Sequence, residues 1–142
     1  MKKYHYLLSL LFVFTIPTLI LGLFAWPIID MSNLIGFMIG ITILGSVWDV
    51  WATKHGRIDP AWLWQFNNRE TLGIKLFDLP LEEYLFYVST SAYIIFIWET
   101  MRYASETADY LAYLLLPFIA LWSLLFILLP YYLAARQGRA LD

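Results

Sequence analysis

Four long apolar runs dominate the chain, and shorter polar stretches separate them. The runs cover residues 6–26, 34–53, 81–101 and 110–133. A helix needs about 20 residues to cross the hydrocarbon layer of a bilayer, so each run is long enough to span a membrane. The pattern predicts an all-α fold, a polytopic membrane helix bundle with four transmembrane helices.

The first run follows Lys2 and Lys3 and could be taken for a secretory signal peptide. It is longer than the apolar core of about 7–15 residues that such peptides carry, and no small-residue cleavage site follows it. We therefore expect it to be a true span.

Lysine and arginine are distributed asymmetrically along the chain. Of the nine, only Arg102 lies outside three stretches: before the first run, between the second and third, and after the fourth. Because basic residues favour cytoplasmic loops, both termini and the loop 54–79 are predicted to be cytoplasmic. The expected protein is a multi-pass, N-in/C-in protein of the cell membrane.

The composition agrees with a membrane protein and excludes several function classes. Hydrophobic residues make up 61% of the 142 residues and charged residues only 14%, against about 25% charged in soluble domains. A net charge of −2 argues against a nucleic-acid partner. The chain has no cysteine and only two histidines, so we expect neither disulfides nor a metal site.

Three acidic residues lie near the predicted cytoplasmic edge of the apolar layer. Glu82 and Glu83 follow Pro80 at the start of the third run, and Asp49 lies about one turn inside the end of the second. Since the second run ends and the third begins on the same side, all three carboxyl groups are expected at similar depth. One explanation is helix capping, because acids in a first turn complement the helix dipole. The alternative is proton chemistry.

A set of close carboxyl groups in an apolar site can supply both a general acid and a general base. Desolvation and neighbouring negative charges keep one carboxyl protonated while another stays ionised. Aromatic residues surround the acids in sequence, and aromatic ring faces stabilise cations. These residues are Trp48, Trp51, Phe86 and Tyr87. The combination suits a carbocation reaction on an olefin.

The second run has two different faces. Gly36 and Gly40 form a GxxxG pair that lets another helix approach closely. Asp49 lies nine residues beyond Gly40 and so points to the opposite side at 100° per residue. Small and polar residues share the side of Asp49, namely Thr42, Gly45, Ser46 and Thr53. One face is predicted to pack against another helix, and the other to line a polar cavity.

The loop 54–79 carries Trp62, Trp64 and Phe66 among polar residues. An aromatic belt at the level of the lipid headgroups would use these side chains. A lid or portal for an apolar substrate would use the same ones, so both interpretations stay open.

Several segments resemble the lycopene cyclase domain family, the small membrane-integral type that occurs as heterodimeric subunits or fused tandem domains. They are WDVWATKHG at 48–56, FN at 66–67, LPLEEYLF at 79–86 and FIWE at 96–99. The similarity covers roughly residues 4–101 with the order and spacing of the motifs kept. It implies a cyclase-like domain of three transmembrane helices at residues 1–105, followed by an additional helix and cytoplasmic tail at 106–142.

The resemblance also implies a reaction and roles for residues. The linear ends of lycopene, or of a related carotenoid, would be cyclised to β-ionone rings without redox change. Glu82 and Glu83 would be the acid/base pair and Asp49 a supporting carboxylate. Substrate contacts would come from aromatic side chains, namely Trp48, Trp51, Phe86, Tyr87 and Phe66. No cofactor is expected, and no GxGxxG dinucleotide motif occurs in the sequence.

The sequence departs from the family pattern in two respects. The segment RID at 57–59 stands where an aromatic residue commonly follows the glycine, so loop contacts are not transferred. The domain also appears once, whereas family cyclases generally use two copies. We therefore expect a homodimer or a heterodimer with a second cyclase-domain subunit, and the Gly36/Gly40 face is one candidate contact.

The sequence alone leaves three classes of function open. The first is the cyclase or one subunit of it. The second is a non-catalytic carotenoid-binding or assembly subunit, whose partner supplies the working acids. The third is a proton-coupled transporter, which four spans without an internal repeat disfavour. Glu99 lies about 25 Å along the third helix from Glu82, at 1.5 Å per residue, and is expected to be structural.

Overall fold

The computed structural model describes residues 4–59, 66 and 71–136 of the chain. Most of the structure is helical, which confirms the predicted helical fold class. Three helices are long and apolar enough to cross a membrane, at His5–Ala25, Met31–Gly56 and Tyr110–Pro130. Isoleucine, leucine and valine side chains along the second of them are exposed, including Ile39, Ile43 and Val47. Exposed apolar surface of this extent is typical of a membrane protein.

Within the described ranges, the four predicted apolar runs lie in four long helices. They are α1 (His5–Ala25), α2 (Met31–Ile58), α3 (Leu81–Thr107) and α4 (Tyr110–Arg136). The last three continue beyond the predicted runs. A helix can continue past its apolar segment, since the helical backbone satisfies its own hydrogen bonds in water as well.

Helix α3 differs in composition from the other three. Its 27 residues would reach about 40 Å at 1.5 Å per residue, which is long enough for a span. Glu82 and Glu83 occupy its first turn, and Glu99, Arg102 and Glu106 lie in its second half. These charges lower its hydropathy, and α3 is not among the three helices that are apolar enough by composition.

Aspartates begin two of the helices. The side chain of Asp30 accepts hydrogen bonds from the backbone N–H groups of Ser32 and Asn33 at 2.9 and 3.1 Å. Asp109 accepts from the N–H group of Leu111 at 2.8 Å at the start of α4. Both acids therefore act as N-caps, which satisfy donors that have no partner within the helix.

The chain divides into two compact units. The first comprises Met1–Leu10 and Asp30–Ala92, and the second comprises Leu11–Ile29 and Tyr93–Asp142. This division follows contacts in space, whereas the predicted boundary at residue 105 follows a family resemblance and stays a prediction.

A short hairpin in the first unit departs from the all-α prediction. Strands β1 (Lys75–Leu76) and β2 (Leu79–Pro80) pair antiparallel, with Leu76 opposite Leu79. The two residues between them, Phe77 and Asp78, have φ angles of 50° and 72°. Positive φ at both positions is typical of a type I′ turn, whose twist matches that of a hairpin.

The hairpin determines where α3 begins. Strand β2 is buried and runs directly into the first residue of the helix. The N–H group of Leu81 donates to the carbonyl of Ile74 at 3.0 Å, and the hydroxyl of Tyr84 donates to the carbonyl of Leu76 at 2.9 Å. These bonds tie the first turn of α3, which carries both glutamates, to the hairpin.

Helix α1 contains a π-helical stretch, Leu11–Thr15, that belongs to the second unit. Pro17 has no N–H group and cannot bond the carbonyl four residues earlier, that of Val13. Helix α4 supplies other donors: the hydroxyl of Ser123 bonds the Val13 carbonyl at 3.1 Å, and the indole N–H of Trp122 bonds the Phe12 carbonyl at 2.8 Å. Backbone carbonyls freed by the irregular turn are thus satisfied in an apolar region, where water is scarce.

Candidate functional site

The three acidic residues singled out from the sequence are buried in the first unit. Asp49 and Glu82 are each 1% exposed, and Glu83 is 6% exposed. Acidic side chains are almost never fully buried without a partner, because leaving water costs the charged form much free energy. The hydrogen bonds of each acid therefore show how it is tolerated.

Asp49 is held by Tyr87. The Tyr87 hydroxyl donates to Oδ2 of Asp49 at 2.5 Å, which links the end of α2 to α3. The tyrosine ring lies over Gly45, where a Cβ atom would be only 2.2 Å from Cε1 of the ring. Gly45 therefore leaves the space that lets the ring cross α2 and reach Asp49.

Glu83 is held by Tyr6, which lies near the start of α1. The Tyr6 hydroxyl donates a short hydrogen bond to Oε1 of Glu83. The carboxyl group of Glu83 also lies within hydrogen-bonding reach of that of Asp49. Two carboxyl groups can bond each other only when one of them carries a proton. The result is a chain of four side chains, Tyr6–Glu83–Asp49–Tyr87, with two neighbouring carboxyl groups at its centre.

Glu82 has a different environment from its neighbour. Its Oε1 accepts the backbone N–H of Leu72 at 2.5 Å. Its buried Oε2 has no hydrogen-bond partner within the described part of the chain. Consecutive residues point about 100° apart on a helix, so Glu82 and Glu83 face different surroundings.

Glu82 lines an open groove of about 350 Å³. The groove surface is almost wholly apolar, and among the described lining residues Glu82 is the only acid. The lining comprises Leu7, Leu72, Leu81, Glu82, Tyr84, Leu85 and Val88. Glu82 lies in the groove wall with its carboxyl group buried. An apolar groove of this kind is typical of a binding site for an apolar small molecule or for one end of a longer one.

The polar face of α2 has the composition that the sequence predicts, and its oxygens lack partners. Oγ1 of Thr42, Oγ of Ser46, Oδ1 of Asp49 and Oγ1 of Thr53 are all buried, and none has a hydrogen-bond partner in the described ranges. Each such atom costs about 1–3 kcal/mol if nothing else satisfies it.

The opposite face of α2 is open. A Cβ atom built on Gly36 or Gly40 would meet nothing within 4 Å in the described structure. Gly45, by contrast, is covered by a tyrosine ring. The predicted helix packing at Gly36 and Gly40 is not made within the described part of the chain and stays a prediction.

The aromatic residues predicted to contact a substrate lie in different places. Trp48 and Trp51 are 57% and 48% exposed, with ring centroids 5.1 Å apart. At 100° per residue they lie about 100° and 160° from Asp49 in the same direction around α2, so they lie on the exposed side when Asp49 points inward. Phe86 is half-buried, and its ring contacts that of Tyr87 at 5.5 Å.

The loop interpretation is not decided by the structure. Phe66 is half-buried and lies outside the helices and strands. Trp62 and Trp64 lie outside the described residues. The aromatic belt and the substrate lid therefore both remain predictions.

Glu99 has a local structural partner. The Nε atom of Arg102 donates to Oε2 of Glu99 at 3.0 Å, and Nη1 donates to Oε1 of Glu106 at 3.3 Å. The hydrogen bond to Glu99 and the charges of both acids raise the pKa of Arg102 above its usual value. These are exposed pairs one helical turn apart, as expected for surface residues of a helix.

Tyr6 and the backbone of Leu72 are site components that the sequence analysis misses. Tyr6 begins the first predicted run, at the end predicted to be cytoplasmic, so the predicted topology alone could have placed it at the depth of the acids. No sequence signal marks the Leu72 N–H, because any residue except proline offers that donor.

Comparisons of the chain with known protein families, with curated proteins and with solved structures find no match.

Proposed function

We propose that this chain is a lycopene cyclase or one subunit of it, which converts the linear ends of lycopene to β-ionone rings. The single observation that carries this proposal is the position of Glu82. It is a buried acid with one unpartnered oxygen in the described ranges, it lines an apolar groove, and it directly precedes Glu83, whose carboxyl group lies near that of Asp49 in the same unit. A hydrocarbon substrate requires apolar walls, and its cyclisation requires an acid and a base.

The proposed reaction balances without a redox partner. A carboxylic acid protonates C2 of the terminal olefin and leaves a cation at C1. The C5–C6 double bond attacks C1 to form the ring bond, which moves the positive charge to C5. A carboxylate then removes the proton from C6, and the double bond returns between C5 and C6. One proton is gained and one is lost for each ring, so the product is an isomer of the substrate.

Glu82 suits the role of proton donor. Its buried Oε2 has no hydrogen-bond partner in the described ranges, and the residue lies in the groove wall, so a rotation of the side chain would bring its proton to a double bond in the groove. The N–H group of Leu72 orients the other oxygen. A general acid of this kind contributes about 10²–10⁴-fold in rate.

Glu83 and Asp49 suit the role of base. Each accepts a tyrosine hydroxyl, and hydrogen bonds donated to a carboxylate favour its charged form. A proton taken from the substrate would be shared between the two carboxyl groups. The ring of Tyr84 lines the groove and offers an aromatic face to the intermediate cation.

The proposal places the chain in the cell membrane as a multi-pass protein with four spans and both termini in the cytoplasm. Lycopene dissolves in the hydrocarbon layer, so its end would enter the groove from the lipid. A second copy of the chain, or a second cyclase-domain subunit, would pack against the open Gly36/Gly40 face.

Expression of the chain alone in lycopene-producing cells tests the proposal. Wild-type protein is expected to change the cells from red to yellow, and product analysis identifies the ring formed. Glu82→Gln keeps the shape of the side chain but cannot donate an acidic proton, so it should leave the cells red. Glu99→Gln changes an acid that pairs with Arg102 on the surface, and it should leave the yellow colour unchanged.

Two other outcomes have distinct meanings. Yellow product only with a co-expressed cyclase subunit, and unaffected by Glu82→Gln, would favour the non-catalytic carotenoid-binding subunit. Yellow product from both wild type and Glu82→Gln expressed alone would contradict the role of Glu82.

A further inference from the structure

We propose that the buried polar face of α2 binds a file of water molecules that carries protons between Asp49 and the Thr53 end of the helix. The face consists of Thr42, Ser46, Asp49 and Thr53, and we call it the polar file. Each of these residues has a buried oxygen without a partner among the described protein groups. This proton pathway would consist of side chains of α2 and water, and it would not require any particular substrate.

Hydroxyl groups inside helices normally donate to the carbonyl three or four residues earlier. Helix α3 shows this behaviour: Thr90 bonds the carbonyl of Phe86, and Ser91 bonds that of Tyr87, both at 2.6 Å. In α2 neither Thr42 nor Ser46 makes any such bond. The hydroxyls of Thr42 and Ser46 therefore do not use the carbonyls of their own helix and remain available to another partner.

The spacing of the polar file suits water. Its members follow one another at intervals of four, three and four residues, and side chains at these intervals lie about 5–6 Å apart at Cβ. That separation is too long for a direct hydrogen bond. It corresponds to about two O–H···O bonds of 2.7–2.8 Å in succession, so one water fits each gap. Buried water of this kind bonds two to four polar groups.

Asp49 joins the polar file to the carboxyl groups. Its Oδ2 accepts from Tyr87, which leaves Oδ1 for the file. On its other side Asp49 reaches Glu83. A proton that arrives at Asp49 can therefore pass to the Tyr6–Glu83–Asp49–Tyr87 chain without crossing an apolar gap.

The two ends of the polar file differ. One turn before Thr42 the same face carries the apolar residue Met38, which offers water no strong hydrogen bond. Beyond Thr53 comes the exposed Lys54, and α2 ends five residues after Thr53, at Ile58. Protons are therefore expected to enter and leave at the Thr53 end.

Isotope exchange measured by infrared spectroscopy tests this pathway without any cyclase activity. The full chain is placed in lipid nanodiscs and transferred from H₂O to D₂O, and the shift of the buried protonated carboxyl band is followed in time. Asp49→Asn identifies the band. Thr53→Val and Ser46→Ala should each slow exchange roughly tenfold, the factor expected when about one hydrogen bond is lost from the path.

Two controls separate the pathway from a general effect on the fold. Thr53→Ser keeps the hydroxyl and should exchange like wild type. Thr100→Val removes another buried, unpartnered hydroxyl, which belongs to α3 and not to the polar file, and should also exchange like wild type. Unchanged exchange in Thr53→Val and Ser46→Ala, equal slowing in Thr100→Val, or a wild-type spectrum without a protonated carboxyl band would each overturn the proposal.

Discussion

Three buried acids lie close together in the first unit, and each accepts a hydrogen bond from a different residue. Glu82 is oriented by a backbone N–H, Glu83 by a tyrosine near the start of α1, and Asp49 by a tyrosine of α3. The environments are therefore not equivalent. Exchange of glutamate and aspartate at these positions keeps the charge but changes the reach of the side chain, and is therefore expected to break the hydrogen bonds to these donors.

The two tyrosines should stabilise the fold through these bonds. Tyr87→Phe and Tyr6→Phe each remove a hydroxyl that donates to a buried carboxyl, and each is expected to lower the free energy of unfolding by about 1–3 kcal/mol. Thermal unfolding in detergent micelles measures the loss. Tyr110→Phe, at an exposed tyrosine, is the matched control and should change stability little. Equal effects of all three substitutions would show that the hydroxyl bonds do not matter.

The acids themselves could be predicted from the sequence, but their partners only in part. Topology places Asp49, Glu82 and Glu83 at one end of adjacent spans, and the structure brings them together. Trp48 and Trp51 were expected beside the substrate because they flank Asp49 in sequence. Neighbours in sequence point in different directions on a helix, and their indoles lie on the exposed side.

At the scale of the element, α2 has one face closed by a tyrosine and one face open. Gly45→Ala would place a methyl group inside the ring of Tyr87 and should destabilise the protein by about 1–3 kcal/mol, as overpacking does. Gly40→Ala meets open space, and it should be neutral or stabilising by up to about 1 kcal/mol, because alanine favours a helix over glycine.

Chemical or thermal unfolding of wild type and both glycine variants in the same detergent compares their free energies of unfolding. A loss of stability in Gly40→Ala alone would mean that a neighbouring chain covers that face instead, and a neutral Gly45→Ala would contradict the packing of Tyr87.

Periodicity in the sequence predicts the four helices well but misses two local features. The hairpin turn Phe77–Asp78 lacks the Asn-Gly or Asp-Gly signal that usually marks positive φ at both positions. The π-helical stretch before Pro17 depends on donors from Trp122 and Ser123, which are more than 100 residues away in sequence. A local sequence pattern therefore reveals neither this hairpin turn nor the distant donors that support the π-helical stretch.

At the scale of the whole molecule, the number of spans depends on α3. The other three helices are apolar enough to cross a membrane by composition. The acids in the first turn of α3 are held by hydrogen bonds within the first unit, and Arg102 pairs with acids near its other end. Charged groups with partners near both ends are compatible with a span, since they need not cross the apolar layer uncompensated.

Terminal reporters decide between three and four spans. An even number of spans puts both termini on the same side, whereas an odd number puts them on opposite sides. We expect a fluorescent protein to be active in the cytoplasm at either terminus, as the distribution of lysine and arginine predicts. A periplasmic phosphatase inserted between α3 and α4, at Ala108, should be active on the other side. Activity of the phosphatase at the C-terminus would contradict the four-span topology.

Ring formation in D₂O tests the central claim most directly. The purified chain in lipid nanodiscs is given lycopene, and the products are analysed by mass spectrometry, with Glu82→Gln as the control. An exchangeable carboxyl group that protonates C2 should leave one deuterium in each ring, while C6 loses an ordinary hydrogen. The product should otherwise be an isomer of lycopene, and Glu82→Gln should form no rings. Rings without deuterium, a product that differs from lycopene in oxidation state, or unchanged cyclisation by Glu82→Gln would contradict the account.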